Sequence, residues 1–142
     1  MNLNYCVHQT DYGPDPYVTN VEQMALQNQN FRTAIWTGVH LQSTLMSIPR
    51  CGEIGLEIHS STDQFIRIEQ GCAIVIMGKS KNCMNFRQNL SKNDVVFIPA
   101  GYWHNIMNVG KQILKLSVIY APPNHPKGTI HCTKEDAENS HY

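Results

Sequence analysis

The chain has 142 residues, and its 11 Lys+Arg balance its 11 Asp+Glu to a formal charge of zero. That length suits one domain with a substantial core. The charge balance excludes the basic footprint of a DNA, RNA or anionic-membrane binder, and no apolar run approaches the ~20 residues that a bilayer span needs.

The chain opens on "MNLNYCVHQTDYGPDPY", which has no basic region followed by an apolar stretch and so does not read as a secretion signal. Residues 1–30 form a polar, turn-rich arm in which "TNVEQMALQNQN" predicts one short helix. From Phe31 the texture changes to short β-branched and aromatic runs: "FRTAIWT", "VHLQSTLMSI", "EIGLEIH", "QFIRIE", "CAIVIM", "MNFRQNL", "DVVFIP", "HNIMNV" and "ILKLSVIYA". Gly, Pro, Asn and Ser punctuate them, which is the pattern of an all-β sandwich or barrel over residues 31–121. In the tail, residues 122–142, Thr133 with Asp136 three residues on predicts a capping box and a short terminal helix.

Five cysteines (Cys6, Cys51, Cys72, Cys83, Cys132) are scattered without a C-x-x-C pair. They read as free thiols of a reducing cytoplasm, with Cys72 in the core.

Alternation sorts the strands into faces. In "EIGLEIH", Glu53, Gly55, Glu57 and His59 share one side; in "QFIRIE", Gln64, Ile66 and Ile68 do. Glu57, His59 and Gln64 among isoleucines are costly to bury without a partner, which a metal ion, a substrate or water could be. "CAIVIM" is apolar on both sides and needs a cover on each. A homodimer interface is the expectation, with the N-terminal arm or a second sheet as the alternative.

Two stretches resemble a known family. E-x-H-x4-Q-x6-G, from Glu57 to Gly71, is similar to the first motif of the cupin superfamily. P-x-G-x2-H-x3-N, with Pro99, Gly101, His104 and Asn108, resembles the second. The resemblance implies a jelly-roll β-barrel of two antiparallel sheets with a pocket at one end, of the small bacterial kind grouped loosely with phosphomannose isomerase. It also implies one divalent metal held by Glu57, His59, Gln64 and His104. Compared with the family's usual three His and one Glu, the carboxylate has moved from the third position to the first and an amide fills the gap. The site's formal charge is unchanged, and the oxygen-rich set suits Zn, Ni, Fe(II) or Mn(II). Neutral imidazoles are needed for ligation, so occupancy should fall below pH ~6.5.

The pocket expected around this centre includes Ile66, Ile68, Ile106, Trp36 and Met46, with Tyr102 and Trp103 before His104 available for stacking. Arg32, Arg50 and Arg67 are candidate anion contacts, with Arg67 facing outward; His8, His125 and His141 carry no signal, and His40 and His131 are open between the pocket mouth and the surface, with the surface as the expectation. Three readings follow. One is a metal-dependent enzyme on a small organic substrate, as a sugar isomerase or epimerase or as a dioxygenase. The second is a non-catalytic module for a small molecule or carbohydrate, and the third a metal-bearing structural subunit.

Overall fold

A computed structural model describes residues 6–140. The change of texture at Phe31 is where sheet begins. Nine strands follow: β1 (Arg32–Thr37), β2 (Gln42–Ile48), β3 (Asp63–Gln70), β4 (Ala73–Gly78), β5 (Phe86–Leu90), β6 (Val95–Ile98), β7 (Trp103–Asn108), β8 (Leu114–Ala121) and β9 (Ile130–His131). They form a six-stranded sheet in the order β6-β3-β8-β2-β1-β9 and a three-stranded sheet β5-β4-β7, with every pairing antiparallel. This is the all-β architecture expected from the spacing of the apolar runs, in the two antiparallel sheets that the cupin resemblance implies.

Register explains where the core lies and where it stops. Opposite residues of an antiparallel pair share a face, so the inner face of the larger sheet resolves into rows. One row is Gln42–Tyr120–Gln64–Ile98, the next Thr44–Val118–Ile66–Val96, then Met46–Leu116–Ile68, then Ile48–Leu114. The face therefore grades from polar at one end to wholly apolar at the other. All these residues are buried, and the apolar ones join Val75, Met77 and Ile106 of the smaller sheet in one core cluster. The polar end of the barrel is where a pocket can open.

The outer face of the larger sheet is covered by a short helix. Asn20 caps α1 (Val21–Gln27) by accepting from Gln23 N, and Ala25 packs with Ile35 and Leu45 in a second apolar cluster. Lys115 reaches the other end of α1, where its ammonium donates to Asn28 O and, at 3.0 Å, to Ser47 Oγ. A cation suits the carbonyl-rich end of a helix. Burial holds the Lys115 amine below its usual range. Helix α2 (Lys134–Glu138) begins with the capping box foreseen at Thr133 and Asp136.

Two sequence expectations are corrected. Cys6 and Cys132 are joined as a disulfide tying the arm to the tail, so not all the thiols are free. Cys72 is exposed in the turn between β3 and β4, not in the core. Helix α1 packs on β8, β2 and β3 of the larger sheet. Ile74 and Ile76 of β4 stay half-buried on the outside of the smaller sheet, flanked in register by Asn89, Arg87, Met107 and Asn105. No helix among the described residues is long and apolar enough to cross a membrane.

Candidate metal centre

The segment 52–59 does not form the regular strand its pattern suggests. It lies along the free edge of β7, with Ile54 N donating to Ile106 O at 2.9 Å and Glu57 exchanging both backbone bonds with His104 at 3.0 and 2.9 Å. Bridges pair Glu53 with Met107 and Glu57 with His104, so the segment holds one residue more than β7 between them. That extra residue is a bulge, and Gly55 occupies it with φ 106°, a left-handed value that a side chain resists. Its amide donates to Asn105 Oδ1 at 2.9 Å, while Asn105 Nδ2 donates to Glu53 Oε2 at 3.1 Å. The bulge resets the alternation, so Ile54 and Glu57 both turn inward and Glu53 does not share their side. Simple period-two reading could not foresee that reset.

Three side chains converge as a result. Glu57 Oε1 lies 3.3 Å from His104 Nε2 and 3.4 Å from His59 Nε2, and the three candidate ligand atoms all lie within 4.8 Å of one another. Metal–ligand distances of about 2.0–2.2 Å place neighbouring donors roughly 3.0–3.4 Å apart, so the Glu57 contacts have a shared ion's spacing. The second motif's loop fixes the arrangement. Gly101 N donates to His59 O at 2.8 Å, and Asp63 Oδ1 accepts from Ala100 N at 2.9 Å. Asn108 Nδ2 donates to the carbonyls of Ile48, Pro49 and Gln112, pinning the far end of β7.

Protonation makes the centre diagnostic. His104 Nδ1 is 3.0 Å from Tyr102 O, and a carbonyl only accepts, so the Nδ1 carries the proton. A neutral His104 then turns a bare Nε2 towards the Glu57 carboxylate. Two acceptors facing at 3.3 Å need a cation between them: a second ring proton or a metal. His59 Nε2 is buried without a hydrogen-bond partner, its approach to Glu57 being a close contact only. Burial pushes the Glu57 carboxyl up, but the His104 and His59 imidazoles facing it outweigh burial and hold the group well below the usual carboxylate range. Glu57 is therefore anionic.

The remaining sequence candidates separate clearly. Gln64 is buried on the inner face opposite Tyr120, and neither its amide nitrogen nor its oxygen has a partner. The Tyr120 ring meets the His59 ring edge-on at 5.8 Å. Ile66, Ile68, Ile106 and Met46 are fully buried in the barrel, and Tyr102 packs against the same core. Trp36 lies elsewhere: a bulge in β1 after Ala34 puts it opposite Ser43 on the outer face, with its Nε1 donating to Asp15 O at 2.7 Å. Trp103 alternates with the inward His104 and lies under Lys81, whose Nζ is 4.5 Å from the ring centre.

Sequence reasoning passed over the tail's contribution. His125 stacks edge-on against Tyr120 at 5.1 Å, and His131 follows at 6.1 Å from His125. His8 is exposed, and His141 lies outside the described residues. Arg32, half-hidden among three candidate arginines, is buried on the inner face opposite Met46. Phe31, Arg32, Ile54, Glu57, His125 and Lys134 line a pocket of about 230 Å³. A larger, open hollow of about 670 Å³ beside α1 is lined by Leu26, Gln27, Gln29, Ser47, Ile113 and Lys115 and holds no metal-type donor set.

Burial, then the charges of Arg32 and His131, push the His125 imidazole down to about 3. The unfolded chain therefore takes up a proton near pH 6.5 that the folded chain refuses until far lower, and folding stability is lost as pH falls through that window. Unfolding by urea should show about 2 kcal/mol less stability at pH 5 than at pH 7; a flat profile between those values would contradict this environment for His125.

The fold and centre define a cupin, and family comparison agrees: the cupin family model matches residues 15–136. The chain belongs to that family. It is 57% identical over 127 residues to YrkC of Bacillus subtilis, covering 89% of this chain and 68% of that protein. It is 43% identical over 115 residues to L612 of Acanthamoeba polyphaga mimivirus, covering 80% and 70%. The crystal structure of BH2720 from Bacillus halodurans superposes with a TM-score of 0.91 at 49% identity, covering 92% of this chain and 99% of that one.

Proposed function

We propose that the chain binds one divalent metal ion, Zn, Ni, Fe or Mn, through Glu57, His59 and His104 with the Gln64 amide oxygen as fourth donor, and holds a small organic ligand beside it. The observation that carries this reading is the Glu57 carboxylate facing two imidazole nitrogens at 3.3 and 3.4 Å, one of them bare because Tyr102 O takes the other ring proton. The partnerless Gln64 amide supports it, since buried polar atoms are ordinarily satisfied.

When bound, such an ion supplies Lewis-acid polarisation of a ligand oxygen, or redox capacity if it is iron or manganese. The chain's own residues orient the ligand and keep water out: Ile54 and Phe31 give the pocket apolar walls, and the Tyr102 carbonyl holds the His104 ring at its working angle. An isomerase or epimerase acting on a sugar, or a dioxygenase, fits this arrangement. A non-catalytic small-molecule or carbohydrate-binding module is the second reading, favoured by the neutral Gln64 amide standing where the family's usual carboxylate ligand would be.

Elemental analysis of protein purified without a histidine tag tests the proposal. About one equivalent of metal per chain is expected, with substrate-dependent oxygen uptake separating the dioxygenase from the isomerase. Metal-free protein that still binds ligand would move the assignment to the second reading. A homodimer through the outward Ile74, Ile76 and Met107 belongs to the same reading and would appear as twice the chain mass in light scattering. A cytoplasmic location is also part of it, and the Cys6–Cys132 pair, which reducing compartments disfavour, weighs against that location.

A further inference from the structure

We infer that the pocket takes a ligand bearing a carboxylate, and that Arg32 is the residue that receives it.

Arg32 is 4% exposed, and no carboxylate of the described residues lies within ion-pair distance of it. Its Nη1 meets His131 Nδ1 at 3.0 Å, and its Cζ lies 5.4 Å from the centre of the Phe31 ring. Neither contact supplies negative charge, and Nε is buried without a partner. A guanidinium has five donors in a rigid fork, and a buried charge left without a counter-charge is costly. No carboxylate of the described residues completes the Arg32 fork at contact distance, which leaves that place to a group from outside.

Position says what that is. Arg32 and Glu57 line the same pocket. The hydroxyl of Tyr120 is fully buried beside Arg32 and feels the charges of both Arg32 and Glu57. Before metal loading, Glu57 offsets Arg32 across the pocket. With a divalent ion in place, which is where this inference rests on the proposed metal centre, Glu57 is committed to the ion. The ion, Glu57 and Arg32 then sum to a double positive charge, because the two ligating imidazoles are neutral. His125, also lining the pocket, stays neutral as well. An anionic ligand removes that charge. One planar fork between the apolar walls of Phe31 and Ile54 matches a planar carboxylate, which an arginine binds through two parallel hydrogen bonds. A phosphate would call for more donors than this wall presents. Lys134, at the same mouth, is occupied with Glu53 at 3.7 Å and Glu138 at 3.8 Å.

Calorimetric titration of the full chain with malonate, malonamide and inorganic phosphate tests this, on protein as purified and after chelation, with metal content measured in each sample. Malonate should bind at least about 10-fold more tightly than malonamide or phosphate, given the strength of hydrogen bonds to charged groups. Arg32→Gln should weaken malonate by about 10- to 100-fold with metal content unchanged, and Arg32→Lys should restore part of it, keeping the charge without the fork. Equal affinity for malonate and malonamide, tighter binding of phosphate, or full malonate affinity in a folded Arg32→Gln would overturn the inference. If Arg32→Gln does not fold, the wild-type comparison of acid with amide decides alone. The two readings fail separately. Metal-free protein that binds malonate through Arg32 removes the metal centre and keeps this inference, whereas metal-replete protein that ignores malonate removes this inference and keeps the centre.

Discussion

Replacing Glu57 by alanine is expected to abolish retention of the divalent metal through dialysis while leaving the fold intact. Glu57 is the only anionic donor in the set; His59, His104 and Gln64 are neutral when they ligate. Without it a divalent ion would sit in a buried pocket with Arg32 and no counter-charge. Loss of a mere supporting partner costs about 10- to 100-fold in metal affinity, and loss of the charged ligand itself should exceed that. The fold should survive because the segment is held to β7 through the Glu57 backbone, not its side chain. Glu57→Gln separates charge from shape, and it should lose the metal nearly as completely. Unaltered stoichiometry in either variant would refute the charge argument.

Leu116→Ala is expected to produce the largest loss of stability. Leu116 has no exposed surface, stands on the central strand β8, and faces Met46 on one side and Ile68 on the other in the same row. Neighbours held by sheet register on both sides cannot collapse into the space left behind, so lost transfer energy and a cavity should together cost about 2–5 kcal/mol. At about 2–4 °C per kcal/mol for a chain near this size, the melting temperature should drop by roughly 5–15 °C. The measurement belongs on chelated protein, since bound metal would stabilise the native state by mass action. A shift under about 2 °C would mean that this row is not the rigid centre of the barrel.

Much of the architecture was written locally. Apolar runs separated by turn residues predicted the strands, the Thr133–Asp136 spacing predicted the cap of α2, and the two motifs pointed to Glu57, His59 and His104. The strands and the cap rest on near-neighbour chemistry, and the metal set rests on the motifs' resemblance to the cupin superfamily. Trp36 failed for the opposite reason: a bulge after Ala34 turned it outward, and a bulge shows only when two strands are laid side by side. The same holds for Gly55, whose φ of 106° makes Glu57 and Ile54 face the same interior. Cys6 and Cys132, 126 residues apart, could be paired only by a chain that had already returned to its start.

What the amino-acid order carried alone was periodicity and chemistry: the alternating strands of an all-β fold, and two motifs whose resemblance to the cupin superfamily implied a carboxylate and imidazoles acting as one set. What only tertiary structure decided was which charges meet. Arg32 and His125 lie 93 positions apart and belong to stretches without a motif, yet antiparallel pairing of β1 with β2 and the return of the tail bring both to the wall that carries Glu57. Electrostatic energy depends on distance in space and on exclusion of water, and neither exists until the sheets close.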